Sequence, residues 1–420
     1  MSVIKNEIIR TKYLQEVIDT IGLHFIKVIT GVRRSGKSWL LKQFKRYLLK
    51  TGVQEEQIIE YDFNKLELQD LTYKELHDQI IAKSSKDKVN FLLLDEIQDI
   101  DDFEKAIISL FENETIDYDI YLTGSNSKMF SSKLATLFTG RNLQIKVLPF
   151  SFKEFYDFNI KYNFKRKDQL GVNKKPLFDL YMKYGGLPIL LKNVNNNKVK
   201  ENELSQVLYD TVQKDIKTRH SIKNITEFNR VAKFVLLESG KEISVMNTAN
   251  YLKSNEKSKI AHTTIERYLN WMREALLIYK AELYDIKGKN CLKTTAKYFA
   301  VDSGIKNIQD NFNSWNSGYT IESIVYIELL RRDYEVYVGK LKYSEIDFVC
   351  KNSKGDITYI QVTKTLKDGE DKALWDREVG NLLSIKDNFE KIVISYEDQD
   401  RILPNGIKIY NLIDWLLDEK

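Results

Sequence analysis

Short apolar runs alternate with segments of helical spacing in the first third of the chain. Residues 25–31 form an apolar run that ends in glycine and predicts a buried strand. Further strands are predicted at residues 57–63, 89–94, 118–123 and 142–148, with helical patterns between them. Strands that alternate with helices indicate a parallel sheet covered by helices, so this part of the chain is predicted to be an α/β domain.

The rest of the chain has a different pattern. Helical spacing prevails from residue 151 to 221, and two more helices are predicted at residues 243–252 and 261–271, before strand-like pieces. From about residue 319 onward, a helix, three strands and a closing helix are predicted. The polar stretch 194–200 predicts a surface loop.

Length and composition limit the number of domains and the kinds of site that are expected, but they do not indicate a function. The 420 residues exceed what one hydrophobic core usually serves, so two or three domains are expected. Lysine and arginine number 65 against 60 acidic residues, and a net charge of +5 does not by itself indicate nucleic-acid binding. Cys291 and Cys350 lie far apart, so neither a disulfide framework nor a structural zinc site is expected. No signal peptide and no membrane span are apparent, which predicts a cytoplasmic protein.

A glycine-rich loop follows the first strand. Residues 31–38 read Gly-Val-Arg-Arg-Ser-Gly-Lys-Ser, which fits G-x-x-x-x-G-K-[ST] between a strand and a helix. Such a loop wraps phosphates with backbone N–H groups; we expect Lys37 to reach the β- and γ-phosphates of ATP and Ser38 to bind Mg²⁺. The alternative is a chance Gly-Lys-Ser turn on the surface. The predicted nucleotide contacts are Gly31, Val32, Arg33, Arg34, Ser35, Gly36, Lys37, Ser38 and Trp39.

Two carboxylates end the third predicted strand, where the apolar residues 91–94 lead into Asp95 and Glu96. We expect Asp95 to hold Mg²⁺ through water and Glu96 to act as general base toward the attacking water. Adjacent residues point in different directions at a strand end, so the two can divide these tasks. The alternative is an acidic cap for the following helix.

Three more positions complete the predicted site. Ser125 and Asn126 follow the fourth strand, where small polar side chains can sense the γ-phosphate and position water, although an ordinary turn also fits. Arg141 precedes the fifth strand, and its placement predicts an arginine finger that acts on the ATP of a neighbouring subunit. This role requires an oligomer. A solvated helix cap is the alternative for Arg141.

These motifs together resemble AAA+ ATPases, specifically a bacterial and archaeal group of ATP-binding proteins with a C-terminal domain of unknown function. The resemblance spans nearly the whole chain and is carried by residues 31–38, Leu-Leu-Leu-Asp-Glu-Ile-Gln at 92, Leu-Thr-Gly-Ser-Asn-Ser at 122, Leu-Phe-Thr-Gly-Arg at 137, Tyr-Gly-Gly-Leu-Pro at 184, Lys-Tyr-Phe-Ala-Val-Asp-Ser-Gly-Ile at 297, Glu-Ile-Asp-Phe-Val at 345 and Tyr-Ile-Gln-Val-Thr at 359. It implies an AAA+ core at residues 1–150, a helical lid at 151–221, a winged-helix-like domain at 222–310 and a PD-(D/E)xK nuclease-like domain at 311–420. It also implies a homo-oligomer, a hexamer by analogy.

The two helices predicted in the middle of the chain resemble a winged helix, whose second helix commonly enters the major groove of DNA. The candidate DNA contacts on this helix and the loop before it are Lys257, Lys259, His262, Thr263, Thr264 and Arg267. A surface that docks a protein, or a purely structural wing, is the alternative.

The last hundred residues resemble the PD-(D/E)xK nuclease superfamily but depart from it at two positions. The order of Glu322 on a helix, Asp347 in a strand, and Gln361 with Thr363 in a later strand is similar to the set that gathers one or two Mg²⁺ ions in that superfamily. Gln361 stands where a carboxylate is expected, and Thr363 where a lysine is expected. A neutral amide binds Mg²⁺ weakly and no lysine stabilises the phosphorane charge, so we expect little or no cleavage. Residual Mg²⁺ binding by Glu322 and Asp347, or a scaffold retained for binding DNA or partners, stays open.

Three functions follow as hypotheses. The preferred one is an ATPase that hydrolyses ATP with Mg²⁺ and acts on duplex or branched DNA; a nuclease-like domain without its catalytic set favours remodelling of junctions or forks. The second is an ATP-driven switch or scaffold that acts on a protein partner in defence, toxin control or signalling. An ATP-regulated nuclease comes last because of Gln361 and Thr363.

Overall fold

The computed structural model describes residues 8–68, 70–126, 140–163, 173–193, 196–255, 259–367 and 371–418. The chain forms two compact units. The first consists of the residues up to Val147 together with Glu274–Leu276, and the second of Leu148–Arg273 and the residues from Leu277 onward. The four-part division expected from the resemblance stays a prediction.

Five strands form the sheet of the first unit: β1 (Ile26–Thr30), β2 (Ile58–Asp62), β3 (Asn90–Asp95), β4 (Tyr118–Gly124) and β5 (Asn142–Lys146). They lie in the order β2-β3-β4-β1-β5, and each neighbouring pair is parallel. The described helices of this unit are α1 (Thr11–Ile18), α2 (Lys37–Lys50), α3 (Tyr73–Lys83) and α4 (Phe103–Phe111). The predicted α/β class is confirmed, and a strand lies at each of the five apolar runs.

Apolar side chains cover both faces of this sheet. Within β3, Leu92 and Leu94 belong to a cluster that includes residues of α3 and α4, whereas Leu93 belongs to a second cluster with Leu40 and Phe44 of α2. Successive side chains of a strand point to opposite faces, so a strand buried on both faces is apolar at every position. This is why residues 91–94 of β3 form an uninterrupted apolar run in the sequence.

The strand order gathers three strand ends at one edge of the sheet. Thr30 at the end of β1 pairs with Gly124 at the end of β4, and β3, which ends at Asp95, lies on the other side of β4. The carboxyl ends of parallel strands lie at the same edge of a sheet, so the loops that follow β1, β3 and β4 meet there.

The second unit contains a nine-stranded mixed sheet. Its strands are β6 (Glu242–Ile243), β7 (Ile278–Asp285), β8 (Asn290–Ala300), β9 (Glu335–Lys340), β10 (Glu345–Lys351), β11 (Ile357–Thr363), β12 (Glu390–Ser395), β13 (Arg401–Ile402) and β14 (Lys408–Asn411). They lie in the order β13-β14-β12-β11-β10-β9-β7-β8-β6. The pairs β7–β9, β11–β12 and β12–β14 are parallel, and the other neighbours are antiparallel.

The described helices that follow β5 in the chain are α5 (Phe152–Phe158), α6 (Lys174–Tyr184), α7 (Asn197–Asp210), α8 (Thr218–His220), α9 (Ile225–Leu237), α10 (Val245–Asn255), α11 (His262–Glu274), α12 (Ser303–Asn307), α13 (Gly318–Arg331), α14 (Lys372–Trp375), α15 (Asn381–Leu383) and α16 (Leu412–Leu417). Three π-helical segments continue α5, join α7 to α8 and join α14 to α15: Asn159–Asn163, Thr211–Lys217 and Asp376–Gly380. Within the described ranges, no helix has the length and apolarity that crossing a membrane requires.

The prediction of a surface loop at residues 194–200 is wrong for the last four of these residues. α7 begins at Asn197, and the side chain of Asn196 accepts a hydrogen bond from the backbone N–H of Val199 (3.2 Å). Lys200, in the first turn, is buried. Asparagine is a preferred helix N-cap, so a polar asparagine run can begin a helix as well as form a loop.

Two of the motifs quoted above contact each other in the second unit. The carboxylate of Asp302 accepts hydrogen bonds from the backbone N–H groups of Gly186 (2.7 Å), Gly304 (2.8 Å) and Ile305 (3.3 Å). Gly185 has a φ of +80°, and a Cβ at this residue would lie 1.9 Å from Asp302 Oδ1. Burial raises the pKa of Asp302 to about 6, although the three backbone hydrogen bonds act to lower it. The contact with Asp302 therefore explains the glycine at position 185.

Candidate functional site

The glycine-rich loop connects β1 to α2. Gly36, the N-cap of α2, has a φ of 102°, and Arg34 has a φ of 64°. A Cβ on Gly31 would lie 2.3 Å from the carbonyl oxygen of Val147, so this position requires glycine. The hydroxyl of Ser35 is buried and has no hydrogen-bond partner among the described residues. A loop with a buried unpaired hydroxyl at a helix N-terminus fits a phosphate group.

Burial varies along the residues predicted to contact the nucleotide. Gly31, Val32, Ser35 and Lys37 are buried, Arg33, Gly36, Ser38 and Trp39 are half-buried, and Arg34 is exposed.

Lys37 lies in the first turn of α2, and its side chain is only 3% exposed. Its Nζ donates a hydrogen bond to the carbonyl oxygen of Gly31 (2.9 Å) and lies 3.3 Å from Glu96 Oε1. The ammonium group is therefore held between the loop and the end of β3, which is where the phosphates are expected.

Asp95 is the last residue of β3 and is hydrogen-bonded to two hydroxyl groups. Thr123 Oγ1 donates to Asp95 Oδ1 (2.5 Å), and the side chain of Ser38 forms a second hydrogen bond. Burial raises the pKa of Asp95, while the hydrogen bonds from Thr123 and Ser38 act to lower it. The Ser38 hydroxyl and the Asp95 carboxylate are thus neighbours, and both are oxygen ligands suited to Mg²⁺.

Glu96 follows β3 with a φ of 57° and is buried. Its carboxylate pairs with Lys37 and accepts a hydrogen bond from Gln98 Nε2, and its backbone N–H donates to Thr123 Oγ1 (2.8 Å). Burial has the largest effect on the pKa of Glu96 and acts to raise it, but Lys37, Gln98 and Arg33 together lower the pKa below its ordinary value. Glu96 is therefore held ionised close to Lys37.

Three residues of this site were missed by sequence reasoning. Thr123 and Gln98 lie inside the quoted motifs, but their hydrogen bonds depend on the strand order. Arg10 precedes the first predicted strand; its guanidinium is buried and donates to the carbonyl oxygen of Ser35 (2.9 Å). Nothing in the spacing of Arg10 indicates that contact.

The other predicted residues of this site lie at the ends of β4 and β5. Ser125 and Asn126 directly follow β4 and are buried. Arg141 directly precedes β5, has 47% of its side chain exposed, and forms an ion pair with Glu112. Residues 127–139, which include the first part of the motif at 137, lie outside the described residues.

Known proteins resemble this chain over nearly its whole length. Residues 24–156 match the family described as AAA domain, and residues 175–315 match a domain of unknown function (DUF8612). An uncharacterised protein of Haemophilus influenzae is 37% identical over 416 residues, which are 98% of this chain and 99% of that protein. The chain belongs to this family of AAA-domain proteins. An uncharacterised protein of Methanocaldococcus jannaschii, MJ1544, is 30% identical to this AAA-domain protein over 389 residues, which are 89% of this chain and 82% of that one.

One solved structure has a similar fold over much of the chain. The Walker-type ATPase PABY2304 of Pyrococcus abyssi has a TM-score of 0.50 to the AAA-domain protein at 16% identity, over 72% of this chain and 95% of that chain. At this identity the likeness shows the fold alone. Together with the AAA-domain match and the parallel sheet, it confirms the prediction of a P-loop ATPase. The roles assigned to single residues stay predictions.

The helix predicted to contact DNA, α11, has one polar exposed face. His262, Thr263 and Arg267 are exposed, Thr264 is half-buried, and Lys259 is exposed just before the helix. The buried residues of α11 include Ile265, Tyr268, Leu269 and Met272. Lys257, the remaining candidate, lies outside the described residues.

The nuclease-like positions meet in one cleft of the second unit. Glu322 of α13, Asp347 of β10, and Gln361 and Thr363 of β11 line this cleft, whose volume is about 720 Å³. Burial raises the pKa of both carboxyl groups, and the charge of Asp347 raises that of Glu322 further. Sequence reasoning missed Lys297, which also lines the cleft, because β8 is not a neighbour of β10 or β11 in the sheet.

Proposed function

We propose that this AAA-domain protein couples ATP hydrolysis with Mg²⁺ to the remodelling of DNA, with branched DNA as the preferred substrate. The observation that carries the proposal is an exposed polar face, formed by His262, Thr263 and Arg267 of α11 with Lys259 just before the helix, on a helix whose other face is buried. A helix anchored on one side and polar on the other is suited to the major groove. In this proposal, residues 222–310 form a winged-helix-like domain, residues 311–420 form a PD-(D/E)xK-like domain, and the protein works as a hexamer.

At the nucleotide site, the proposal assigns phosphate binding to the loop and to Lys37. Ser38 and Asp95 are the residues that would hold Mg²⁺, because their oxygens are already neighbours. When bound, Mg²⁺ neutralises phosphate charge. Glu96 takes a proton from the attacking water, a role supported by its lowered pKa, since a base must be ionised at working pH.

Three further residues have proposed roles in hydrolysis. Ser125 and Asn126 follow β4 beside the end of β1, and we assign them to sensing the γ-phosphate and positioning the attacking water. Arg141 is assigned to the site of the neighbouring subunit, which its exposure at the surface supports.

The second candidate function is action on a protein partner. It is favoured by Met246 and Tyr251 on α10, whose side chains are 61% and 40% exposed. Large exposed apolar side chains are more typical of protein contacts than of the phosphate-rich surface of DNA. The two candidates predict different effects of DNA on ATP turnover.

The test measures ATP turnover without DNA, with duplex DNA and with a four-way junction. We expect the junction to raise turnover several-fold, and Glu96→Gln to remove turnover in all three conditions. The double variant Lys259→Ala and Arg267→Ala is expected to lose about tenfold in DNA affinity. Lys354→Ala, which removes an exposed lysine elsewhere in the same unit, is the matched control and should bind DNA as the parent does. If DNA neither binds nor changes turnover, the protein-partner function replaces the DNA proposal.

A further inference from the structure

The nuclease-like cleft contains a buried ammonium group that the PD-(D/E)xK pattern does not place there. The side chain of Lys297 is 7% exposed; its Nζ lies 3.6 Å from Glu322 Oε2 and forms a closer ion pair with Glu345. Burial acts to lower the pKa of Lys297, but the charges of Glu322, Glu345 and Asp347 outweigh it and raise the pKa above its ordinary value. Lys297 is therefore a buried ammonium group held beside Glu322 and Glu345.

Asp347 and Gln361 of the cleft have hydrogen-bond partners within strands β10 and β11. Asp347 Oδ2 accepts the backbone N–H of Val362 (2.8 Å), and the side-chain oxygen of Gln361 accepts the backbone N–H of Asp347 (3.4 Å). Within the ranges that the structure covers, no three His, Cys, Asp or Glu side chains are arranged to hold a metal ion. Mg²⁺ needs carboxylate oxygens that are free to bind it, whereas Glu322 is paired with the Lys297 ammonium and Asp347 with the Val362 N–H, so these residues fit the Mg²⁺ ions of the nuclease-like pattern poorly.

The acidic residues of the cleft differ in whether they have a positively charged partner other than Lys297. Glu345 has a second partner in Lys340 (3.2 Å), and Glu378 accepts a hydrogen bond from Arg377 Nε (2.8 Å). Lys297 is the largest favourable charge acting on both Glu322 and Asp347. Glu322 Oε2 is buried without a hydrogen-bond donor and has the Lys297 ammonium as its ion-pair partner. Removing Lys297 thus leaves two buried carboxylates without that cation.

We propose that the Lys297 ammonium group compensates the carboxylate charge of this cleft, where the nuclease-like pattern would have a divalent metal ion. An ammonium group compensates carboxylate charge, but it does not supply the Lewis acidity or the metal-bound hydroxide with which Mg²⁺ cleaves phosphodiesters. The cleft is a metal-free charged site as a result. This inference concerns the second unit alone and does not depend on the DNA proposal.

The test is a Mn²⁺ titration of the full chain without nucleotide, followed by the EPR signal of free Mn²⁺. All samples carry Asp95→Asn so that the nucleotide site contributes little. We expect the chain with an intact cleft to show no saturable Mn²⁺ site. Lys297→Met is expected to create one, with an affinity at least about tenfold above that of any residual binding, because Glu322 and Asp347 lose their shared cation. In the same variant, Mg²⁺ should raise the unfolding temperature.

The matched control is Lys340→Met, which removes a different ammonium group from Glu345 and should create no site. Adding Asp347→Asn to Lys297→Met should abolish the new site. The proposal is overturned if the intact cleft binds Mn²⁺ and loses it in Asp347→Asn, or if a folded Lys297→Met variant gains no site. The titration of the intact cleft decides the question if Lys297→Met does not fold.

Discussion

Glu96 lies between a cation and an amide. Its Oε1 is 3.3 Å from Lys37 Nζ, and its Oε2 accepts a hydrogen bond from Gln98. Burial alone would raise the pKa of Glu96, and these two partners together with Arg33 lower it below its ordinary value. A bound phosphate would compete with Glu96 for Lys37. It would not compete for the hydrogen bond that Gln98 donates to Glu96. We therefore regard Gln98 as a positioning residue for the proposed base.

Substitution of Gln98 tests this role. In Gln98→Ala, Glu96 loses a hydrogen bond that lowers its pKa, so the acidic limb of the kcat profile for ATP hydrolysis moves to higher pH. Gln98→Glu adds a negative charge and moves the limb further. The plateau at high pH should fall by about tenfold or less, since general-base catalysis as a whole contributes about 10²- to 10⁴-fold. Turnover is measured at saturating ATP from about pH 3.5 to 9, so that the range extends below the ordinary glutamate pKa of about 4.3. Superimposable limbs in the parent and both variants would exclude this role.

Functional residues can be predicted from the sequence where they lie close together along the chain. Lys37 and Ser38 lie within one sequence motif, and Asp95 and Glu96 are adjacent, so motifs alone select them. Thr123 contacts Asp95 because β4 lies beside β3, and that neighbour relation is a property of the sheet. Contacts between residues far apart in sequence are invisible until the strand order is known.

The elements differ in how well their patterns predict them. Strands β1, β3 and β4 are buried at every position, so each is mostly apolar in sequence, although β1 contains Lys27 and β4 contains Asp119, which form a buried ion pair (2.6 Å). The order of the nine-stranded sheet could not be predicted from the sequence. β7 pairs with its hairpin partner β8, but it also pairs in parallel with β9, and α12 and α13 lie between β8 and β9 in the chain. The missed start of α7 has a different cause, since one asparagine side chain decides between loop and helix.

The contact between the turn after α6 and the N-terminus of α12 predicts a stability effect. The backbone N–H of Gly186 donates to Asp302, and a Cβ on Gly186 would lie 2.2 Å from the carbonyl oxygen of Phe150. Backbone cannot move away as a flexible side chain can, so Gly186→Ala should lower the free energy of unfolding by about 1–3 kcal/mol. Urea denaturation followed by circular dichroism measures the loss.

The control for this prediction is Gly318→Ala, at the first residue of α13. A Cβ there meets no atom within 4 Å, so the free energy of unfolding should change by about 0.5 kcal/mol or less. Equal losses in the two variants would mean that the close approach to Phe150 does not limit stability.

Over the whole molecule, the two units hold different candidate chemistry. The first contains the loop, Lys37, Asp95 and Glu96, and the second contains the face of α11 and the charged cleft. Nucleotide binding and the proposed DNA binding should therefore be impaired by separate variants. The role proposed for Arg141 also involves the assembly of several copies of the chain, because a second copy is needed to complete each nucleotide site.

Arg141 is available for such a role. Its guanidinium is partly exposed, and its partner Glu112 is exposed as well. A surface ion pair contributes about 0–1 kcal/mol, so exchange of Glu112 for a phosphate on another subunit costs little. Arg141→Ala should therefore lower ATP turnover by about 10³-fold or more while ATP affinity changes little. Glu112→Ala, the control, keeps the guanidinium and should retain turnover.

Mixing two inactive variants separates action within a subunit from action between subunits. Arg141→Ala keeps an intact Glu96, and Glu96→Gln keeps an intact Arg141, so an interface between the two variants combines one working base with one working guanidinium. After subunit exchange, turnover of the mixture should exceed the sum of the separate variants at the same total concentration. The excess should vary with mixing ratio and be greatest near equal amounts, because mixed interfaces are then most frequent. A mixture no more active than that sum would mean that Arg141 serves its own subunit or none.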